Sequence, residues 1–404
     1  MSLTEAQLLE DVRQRLFAPT GSTTPRAVGL ELELIPIVKS TKKPALPNPT
    51  ENSSHSTAVI LSRLGAHQGW TEMRAGDDPP SWQLRDGARV SFEPGGQIEI
   101  STAPHANASS VIDSTRALVK MLRDAMEEED IELLARGVDP YNGIDAVPLQ
   151  LHRERYSRMT RYFDSIGPSG VRMMRQTAAL QINVERGEDP KFRWRLLNDL
   201  APIMVAIFAN SRDYAGYPTK SASYRSELWR TLDPSRTGVV YDDRRFVERY
   251  LEFALDAVAM RSGDSARPYL PFRIWMHDPT VTWDDWQFHL STLFPEVRPK
   301  EYFEIRSADT IEPEFLAAPV VFVTGLIYDP ESAVTATEMV GLPEPDLLER
   351  AGRLGLADPE VWSTAVVLSS LALEGARRLG EAYLSPQHLA EAKHYFTRIW
   401  SLHR

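Results

Sequence analysis

Cysteine is absent from all 404 residues of the sequence. This absence excludes disulfide bonds, thiolate metal sites and a cysteine nucleophile. Long hydrophobic runs are also missing: the two longest, residues 200–209 and 315–327, are too short to span a bilayer and contain proline. The first residues, MSLTEAQLLEDVRQRL, lack the basic start and apolar centre of a signal peptide. We therefore predict a cytoplasmic protein that does not associate with membranes.

Positively charged residues are also fewer than negatively charged ones. The 45 Lys and Arg residues are outnumbered by 56 Asp and Glu residues, which gives a formal net charge of −11. This balance argues against a broad nucleic-acid-binding surface. The sequence has no P-loop, no dinucleotide-binding glycine motif, no H-E-x-x-H and no G-x-S-x-G. If a nucleotide binds, we expect metal ions and arginines to hold it rather than a glycine-rich loop.

The order of predicted elements favours an α+β fold with a mainly antiparallel sheet, because strands and helices alternate without a regular βαβ rhythm. We find no internal repeat and no linker, so we predict one domain over residues 1–404, with a helical C-terminal region from about residue 331. Helices are predicted over residues 4–17, 57–66, 107–132, 193–210, 246–260 and from 315 to the end. Strands are predicted over 27–35, near 83–84, over 88–100 with a break at 94–96, over 177–184 and over 302–306. Residues 39–57 are predicted to form a long loop.

The most informative segment is SFEPGGQIEIS, residues 91–101, which places Glu93 and Glu99 on either side of a Pro-Gly-Gly break. Both carboxylates have apolar neighbours, and no Lys or Arg lies between Val90 and Ser101. Buried carboxylates are costly unless a cation pairs with them. Oxygen ligands alone indicate a hard metal such as Mg²⁺ or Mn²⁺. A hairpin with two exposed glutamates would have the same pattern.

Two further strands carry carboxylates. Glu31 and Glu33 are two residues apart, so their side chains share one face, roughly 6–7 Å apart along the strand. Such a pair repels unless a cation lies between the two charges, although paired glutamates also occur on solvent-facing strands. Glu304 lies on a third strand, on the same face as Arg306. Five carboxylates on apolar-flanked strands are better explained by a divalent-metal cage than by a solvated surface: Glu31, Glu33, Glu93, Glu99 and Glu304.

Three arginines form a second group of candidates: Arg225, Arg236 and Arg306. The planar guanidinium group binds carboxylate or phosphate oxygens through two hydrogen bonds. Taken singly, each arginine is more often a partner in a surface salt bridge. Their neighbours are Trp, Gly and Pro residues in segments that do not have the pattern of an ordinary amphipathic helix, and this context favours a binding role.

Taken together, these segments resemble the glutamate–cysteine ligases of the plant and actinobacterial type, within the glutamine-synthetase-like carboxylate–amine ligases. The similarity runs in order from about residue 26 to about residue 330, three quarters of the chain. The matching segments are Gly29-Leu30-Glu31-Leu32-Glu33, residues 91–101, Met173-Met174, Gln181-Ile182-Asn183, Ala209-Asn210-Ser211, Tyr224-Arg225-Ser226 with Trp229, residues 233–238, residues 289–298 and Tyr302-Phe303-Glu304-Ile305-Arg306. Plant-type members carry Arg close to the position of Gln176, in the predicted strand leading to Gln181, whereas here the arginine is Arg175, one place earlier.

The resemblance implies a glutamine synthetase/guanido kinase-like fold, in which a sheet forms a funnel-like active site surrounded by helices. It implies an ATP-dependent ligase that joins the γ-carboxylate of L-glutamate to the amine of L-cysteine through a γ-glutamyl phosphate. The product, γ-glutamylcysteine, would serve glutathione- or ergothioneine-type thiol synthesis. The implied partners are these small molecules, without nucleic acid or membrane, and the implied assembly is a monomer or a small homo-oligomer.

The resemblance also implies roles for the candidate residues. The five glutamates would bind two or three Mg²⁺ ions, with Mn²⁺ as the alternative, that bridge ATP phosphate oxygens and the glutamate side chain. Arg306 would stabilise the transferred γ-phosphate, and Arg225 would bind a substrate carboxylate or the phosphate. The remaining candidates would contact substrate: Gln181 and Asn183 by orienting it or a metal-bound water, Arg236 more weakly, and Tyr224 and Trp229 as pocket walls, with core packing as the alternative for Trp229.

Three other functions are compatible with these residues. A ligase could join glutamate to a different amine. A two-metal phosphohydrolase or nuclease could use the same carboxylates, although the acidic net charge makes a nucleic-acid substrate less favourable. A catalytically silent binding protein could retain the metal cage.

Overall fold

A computed structural model describes residues 3–20, 26–48, 56–240, 245–261, 268–341, 344 and 346–401. Within these residues, the main framework is a nine-stranded sheet whose apolar face is covered by helices. The strands are β1 Val28–Val38, β2 Thr71–Met73, β3 Ser81–Gln83, β4 Arg89–Phe92, β5 Ile98–Ser101, β6 Ile131–Leu134, β7 Ala179–Val184, β8 Asp213–Tyr214, β9 Tyr217–Pro218, β10 Thr237–Gly238, β11 Phe294–Pro295, β12 Val297–Pro299 and β13 Phe303–Asp309.

The helices include most of those predicted and several short ones between the strands. They are α1 Glu5–Asp11, which continues as a π-helical turn over Val12–Leu16, α2 Thr57–Gln68, α3 Ala108–Glu127, α4 Glu154–Ile166, α5 Pro168–Gln176, α6 Pro190–Ile207, α7 Tyr224–Leu232, α8 Phe246–Asp256, α9 Phe272–Trp275, α10 Trp283–Ser291, α11 Ala317–Tyr328, α12 Pro330–Val340, α13 Leu347–Leu354, α14 Pro359–Leu379 and α15 Pro386–Ser401. In the described part of the chain, no helix has both the length and the apolarity needed to cross a membrane.

The order of strands in the main sheet is β12-β13-β7-β1-β5-β4-β3-β2, and β6 pairs with the second half of β1. Every pairing within this sheet is antiparallel. Two small pairs lie outside it, β8 with β9 and β10 with β11. The predicted α+β class with a mainly antiparallel sheet is therefore confirmed.

Alternation along the strands separates an apolar face of the sheet from a polar one. On β1, the leucines at positions 30, 32 and 34 are fully buried, whereas Glu31 and Glu33 point to the opposite face. Helices α3 and α6 pack against the sheet, at β1 and β13 respectively. In the described part of the chain, most of the buried apolar residues form one main cluster, whose members range along the sequence from Leu3 to Phe396. Two smaller clusters lie beside it, one around Phe163 and Met174 and one around Ile37 and Ala178. The apolar face thus builds the core and leaves the polar face to form a site.

Several predicted boundaries were wrong, each for a local reason. The helix predicted over residues 107–132 ends at Glu127, because Asp130 adopts a left-handed backbone conformation (φ 58°) and residues 131–134 pair with β1 as β6. Arg175 and Gln176 lie in the last turn of α5 and not in a strand leading to Gln181, because β7 begins only at Ala179. Of the loop predicted over 39–57, residues 49–55 lie outside the described residues.

Candidate functional site

A cavity over the polar face of the sheet contains most of the predicted site residues. Its walls come from β1, β5, β7, β12 and β13, from the turn between β4 and β5, and from α4, α5 and α7. Eight of the predicted residues line it: Glu31, Glu33, Glu93, Glu99, Gln181, Arg225, Trp229 and Arg306. Four others do not line it: Asn183, Tyr224, Arg236 and Glu304.

Strand register brings the carboxylates of β1 and β5 together. Glu33 lies directly opposite Glu99 in the antiparallel pair of β1 and β5, and Glu31 lies opposite Gln181 of β7. Directly opposite residues in such a pair have Cβ atoms about 4.5–5.5 Å apart. The period of two found in the sequence and the pairing of strands distant in sequence together place these side chains in one cavity.

The Pro-Gly-Gly break forms the tight turn between β4 and β5 and brings Glu93 to the same cavity. The Glu93 amide donates to the Gln97 carbonyl at 2.8 Å, and the Gly96 amide donates to the Glu93 carbonyl at 2.8 Å. Gly95 passes so close to α5 that a Cβ atom there would lie 1.9 Å from the carbonyl oxygen of Arg175. Only glycine fits this approach, so the turn is held against the segment that joins α5 to β7.

Gln97 links the turn to that same segment. Its side-chain oxygen accepts a hydrogen bond from the Gly95 amide at 3.0 Å, and its Nε2 donates to the Thr177 carbonyl at 2.7 Å. The side chain is almost fully buried, with 3% of its surface exposed. The glutamine of the E-P-G-G-Q-x-E motif therefore has a structural role, which fixes the position of the turn that carries Glu93.

Each carboxylate in the cavity makes ionisation of its neighbours less favourable. Burial, together with the nearby Glu304 and Glu99 carboxylates, raises the pKa of Glu31 to about 7. Burial and the charge of Glu99 raise the pKa of Glu33 to about 7. Burial and the charges of Glu99 and Glu33 raise the pKa of Glu93 well above its usual value. A cation among these groups would favour their ionised forms.

Hydrogen bonds orient the β1 carboxylates without neutralising them. Asn183 donates from Nδ2 to Glu31 at 2.9 Å, and the Ala179 amide donates to Glu33 at 2.8 Å. Gln181 Nε2 donates to the other oxygen of Glu33 at 3.3 Å. Asn183 thus contacts Glu31 without lining the cavity itself.

This donor set fits a divalent cation in composition. The four lining glutamates offer carboxylate oxygens, the ligands that Mg²⁺ and Mn²⁺ prefer. Across the ranges that the structure describes, however, no group of three or more His, Asp or Glu side chains is arranged to hold a metal ion. The residues thus have the chemistry of a divalent-metal site, whereas their side chains do not converge on one point.

Glu304 lies beside the cavity, and three positively charged side chains contact its carboxylate. Its Oε1 accepts from Arg298 Nη2 at 2.9 Å, its Oε2 accepts from Arg306 Nη1 at 2.8 Å, and Lys300 also contacts it. Burial alone would raise the pKa of Glu304, but the positive charges of Arg298, Arg306 and Lys300 outweigh it and hold this pKa well below its usual value. Glu304 is therefore a fixed anion that positions arginines.

Two arginines border the carboxylates. Arg306 also donates to Gln181 Oε1 at 2.7 Å, and its guanidinium carbon lies 5.0 Å from the ring centre of Trp229. Arg225 is only 3% exposed and donates from Nη2 to the backbone carbonyl of Arg306 at 2.8 Å. Trp229 contributes to the cavity wall and packs edge-on against Phe294 at 5.2 Å, so it has both of the roles considered for it.

Arg236 and Tyr224 have partners outside the cavity. Arg236 is completely buried: its Nε donates to Asp233 at 2.6 Å, its Nη1 donates to the Thr292 carbonyl at 2.9 Å, and its Nη2 contacts the Val258 carbonyl. Tyr224 packs on Tyr214 at 5.2 Å and accepts a hydrogen bond from Arg172. In this structure both residues hold neighbouring segments together.

Sequence reasoning missed several residues of the cavity. Arg155, Tyr156 and Met159 come from α4, and Arg298 comes from β12. Arg155 is oriented by Ser291, whose backbone carbonyl accepts from Nη2 at 2.8 Å. No local pattern marks Arg155, because its place depends on how α4 packs over the sheet. Arg298 and the lining pair Met173 and Met174 lay within segments of the family resemblance, which was the one available signal.

Comparisons with known proteins show the family to which the chain belongs. Residues 27–379 match the model of glutamate–cysteine ligase family 2. The glutamate–cysteine ligase EgtA of Mycolicibacterium smegmatis is 32% identical over 336 residues, which cover 78% of this chain and 77% of that protein. A chloroplastic glutamate–cysteine ligase of Nicotiana tabacum is 32% identical over 304 residues, 70% of this chain and 57% of its own length. The chain therefore spans little more than half of this plant relative.

Similar solved structures are more distant in sequence. A glutamate–cysteine ligase of Francisella tularensis in complex with AMP has 12% identity and a TM-score of 0.46, over 94% of this chain and 90% of that chain. The ligase PafA in complex with the ubiquitin-like protein Pup has 11% identity and a TM-score of 0.41, over 94% and 64% of the two chains. The match of the family model over most of the chain assigns this protein to glutamate–cysteine ligase family 2.

Proposed function

We propose that this protein is an ATP-dependent ligase that joins the γ-carboxylate of L-glutamate to the amine of L-cysteine. One observation carries the proposal: four carboxylates and four arginines from distant parts of the chain line one cavity, at which Glu31, Glu33, Glu93 and Glu99 face Arg155, Arg225, Arg298 and Arg306. This combination suits a substrate that brings both phosphate groups and metal ions. Membership of glutamate–cysteine ligase family 2 supports the choice of reaction.

The chemistry explains why both charges are needed. A carboxylate is a poor electrophile, so its oxygen first attacks the γ-phosphorus of ATP and ADP leaves. The amine then attacks the carbonyl carbon of the resulting γ-glutamyl phosphate, loses a proton and expels inorganic phosphate, which retains one oxygen of the original carboxylate. In such phosphoryl transfers, the protein contributes positioning and charge stabilisation rather than covalent catalysis.

The proposed roles follow from the positions of the side chains. Glu31, Glu33, Glu93 and Glu99 would hold divalent ions, two or three Mg²⁺ or alternatively Mn²⁺, which neutralise phosphate charge when bound. Arg306 is proposed to stabilise the transferred phosphoryl group, because it is fixed by Glu304 and Gln181 at the cavity wall. Arg225 is proposed to bind a substrate carboxylate or the phosphate. Arg155 and Arg298 are additional candidates for binding anionic groups of the substrates.

The remaining predictions receive different support. Gln181 is proposed to orient the site by bridging Arg306 and Glu33. A metal-ligand role for Glu304 stays a prediction, because three cations already bind this carboxylate. Substrate contact by Asn183, Tyr224 and Arg236 also stays a prediction.

The wider setting of the reaction belongs to the same proposal. We propose one ligase domain over residues 1–404, which is supported by a main buried cluster whose members range from Leu3 to Phe396. We place the reaction in the cytoplasm and assign it to thiol synthesis of the glutathione or ergothioneine type, in a monomer or small homo-oligomer.

The experiment that tests this proposal measures ADP release from ATP in the presence of Mg²⁺, L-glutamate and a panel of amines. We expect release that requires both glutamate and cysteine. ADP release that requires glutamate but is faster with another amine would change only the identity proposed for the second substrate. Hydrolysis of a phosphate ester without ATP would favour a two-metal phosphohydrolase, and metal binding without any turnover would favour a binding protein.

A further inference from the structure

A buried carboxylate outside the cavity connects three segments that hold Arg225. Asp309 is the last residue of β13 and is only 1% exposed. Its Oδ2 accepts from the Asn210 amide and from Ser211 Oγ, both at 2.7 Å, and its Oδ1 accepts from Ser223 Oγ at 2.9 Å. Arg225 Nη1 lies 3.8 Å from the same Oδ1. All of these partners are donors, which is the surrounding that an ionised carboxylate requires.

These bonds control the backbone of Arg225 as well as its side chain. Ser211 Oγ, while donating to Asp309, accepts from the Arg225 amide at 3.1 Å. Ser223 is the N-cap of α7, and its Oγ accepts from the Ser226 amide at 3.1 Å. Asp309 therefore anchors the first turn of α7, which contains Arg225, and the loop after α6, which contacts the Arg225 amide.

An irregularity in β13 places Asp309 where it can do this. The pairing of β13 with β7 shifts register between Ile305 and Ala308, so three steps along β13 match two steps along β7. Such a bulge re-aims the side chains that follow it. As a result, β13 places Arg306 at the cavity and also places the Asp309 carboxylate beside the Arg225 guanidinium group.

The backbone at Gly137 packs closely against the Asp309 carboxylate. A Cβ atom on Gly137 would lie 2.5 Å from Cγ of Asp309. The Gly137 amide donates to the Asn210 carbonyl at 3.0 Å, which fixes the same loop from its other side. Burial raises the pKa of Asp309, while Arg225 and the three hydrogen-bond donors counteract this rise.

We propose that Asp309 is a positioning residue, which sets the place of the Arg225 guanidinium in the cavity through Ser211, Ser223 and a direct charge contact. The kinetic consequence rests on the proposed ligase function, whereas the structural consequence does not. Because Asp309 does not line the cavity, it would influence turnover only through Arg225. The Ala209-Asn210-Ser211 and Tyr224-Arg225-Ser226 segments of the family resemblance then have a common purpose.

The test compares Asp309→Asn, Arg225→Lys and the double variant. Asparagine keeps the size of the side chain but removes the charge and presents an N–H to Ser223 or Arg225. We expect Asp309→Asn to lower kcat/KM by about 10- to 100-fold, the range that a displaced catalytic group produces. In the Arg225→Lys background, Asp309→Asn should lower kcat/KM by less than about 3-fold, because the guanidinium group that Asp309 positions is already absent. Losses that multiply in the double variant would overturn the proposal.

Two further variants separate positioning from folding. Asp199→Asn is the matched control, because Asp199 is a buried aspartate on α6 that is not a cavity-lining residue; its activity should stay within about 2-fold of wild type. If Asp309→Asn does not fold, Ser211→Ala replaces it, since this change removes one bond to Asp309 and one to Arg225. We expect it to lower kcat/KM by about 10-fold, and an unchanged value would count against the proposal.

A crystal structure of Asp309→Asn, or of Ser211→Ala if needed, completes the test without relying on turnover. We expect the Arg225 guanidinium to leave the Arg306 carbonyl, which it contacts at 2.8 Å in the wild type. An unmoved guanidinium would overturn the positioning role even if the ligase activity is present. If the wild type does not release ADP, the proposed function is wrong. The position of the Arg225 guanidinium in the crystal structure would then decide whether Asp309 is a positioning residue.

Discussion

At the scale of single residues, the glutamates in and beside the cavity differ in how closely positively charged side chains contact them. Glu304 has three cationic partners, whereas Glu31, Glu33 and Glu93 have raised pKa values through burial and mutual repulsion. Two kinds of carboxylate thus lie side by side on one sheet face. One kind positions arginines, and the other is available for a divalent cation.

The first residue-scale prediction concerns Glu93 and Glu99, the proposed metal ligands on either side of the Pro-Gly-Gly turn. Glu93→Gln or Glu99→Gln should lower the rate of ADP release by orders of magnitude while the fold stays intact, because an amide is a weaker ligand than a carboxylate for Mg²⁺. Glu132→Gln on β6 is the matched control, since Glu132 pairs with Lys42 away from the cavity. Near-normal rates for both variants at limiting Mg²⁺ would show that the metal assignment is wrong.

The second prediction concerns Arg306. Lysine at this position would keep the positive charge but could not bridge Glu304 and Gln181 while also facing the cavity. Arg306→Lys should therefore lower kcat by about 10- to 1,000-fold, as the loss of a preorganised donor does, with a smaller change in KM for ATP. Steady-state kinetics of ADP release measure both constants. An unchanged kcat would contradict the role of Arg306 at the phosphoryl group.

Sequence reasoning at this scale succeeded where the signal was local. Glu31 with Glu33, and Gln181 with the alternating residues of β7, could be assigned to one face from their spacing of two. Arg155 and Asp309 could not be found in this way, because their roles depend on contacts with Ser291 and with Ser211, more than 95 residues away in each case. For Arg236, the glycine- and proline-rich context indicated a binding role that stays a prediction. In the structure this arginine is fully buried and bonded to Asp233, and no local pattern in the sequence shows that contact.

At the scale of elements, the turn between β4 and β5 controls the geometry of the cavity. It places Glu93 beside the strand residues, and it is packed against the carbonyl of Arg175 and tied to that of Thr177. The Pro-Gly-Gly motif could be recognised as a break from the sequence. The contact of Gly95 with the end of α5 could not be recognised, because no helix was predicted there and the resemblance placed Gln176 in the strand that leads to Gln181.

The prediction for this element is steric. Gly95→Ala should destabilise the protein by about 1–3 kcal/mol or more, because the added methyl group would force the turn away from the Arg175 carbonyl. Gly143→Ala is the matched control, since a Cβ atom there would meet its nearest neighbour, Ala215, at 3.9 Å. Urea unfolding followed by circular dichroism measures the difference. Equal midpoints for the two variants would contradict the close approach of the turn.

At the scale of the whole molecule, the raised pKa values in the cavity link stability to pH, and we expect divalent ions to change this link. The pKa values of Glu31 and Glu33 rise from about 4.5 to about 7 on folding. The folded protein therefore binds more protons than the unfolded chain between these two values, and the contribution of this pair to stability falls as the pH rises from 4.5 to 7. A bound divalent cation would reverse this loss, because it favours the ionised carboxylates.

This reasoning gives a prediction for Glu33→Gln without metal. The variant should be more stable than the wild type above pH 7, by on the order of 1–3 kcal/mol, and this advantage should vanish near pH 4.5. Adding Mg²⁺ should raise the melting temperature of the wild type more at pH 8 than at pH 5.5, and should raise that of Glu33→Gln less. Thermal unfolding across this pH range measures both effects. A Mg²⁺ effect that is independent of pH would argue against binding at these carboxylates.

The central claim is that this cavity activates a carboxylate by phosphorylating it, and oxygen transfer tests it most directly. The measurement starts from L-glutamate labelled with ¹⁸O in its γ-carboxylate and follows the label by mass spectrometry of the inorganic phosphate released with ATP, Mg²⁺ and L-cysteine. The account predicts one ¹⁸O atom in each phosphate molecule, since the leaving phosphate retains one carboxylate oxygen. Unlabelled phosphate would show that water, not the glutamate side chain, attacks ATP, and would contradict the account.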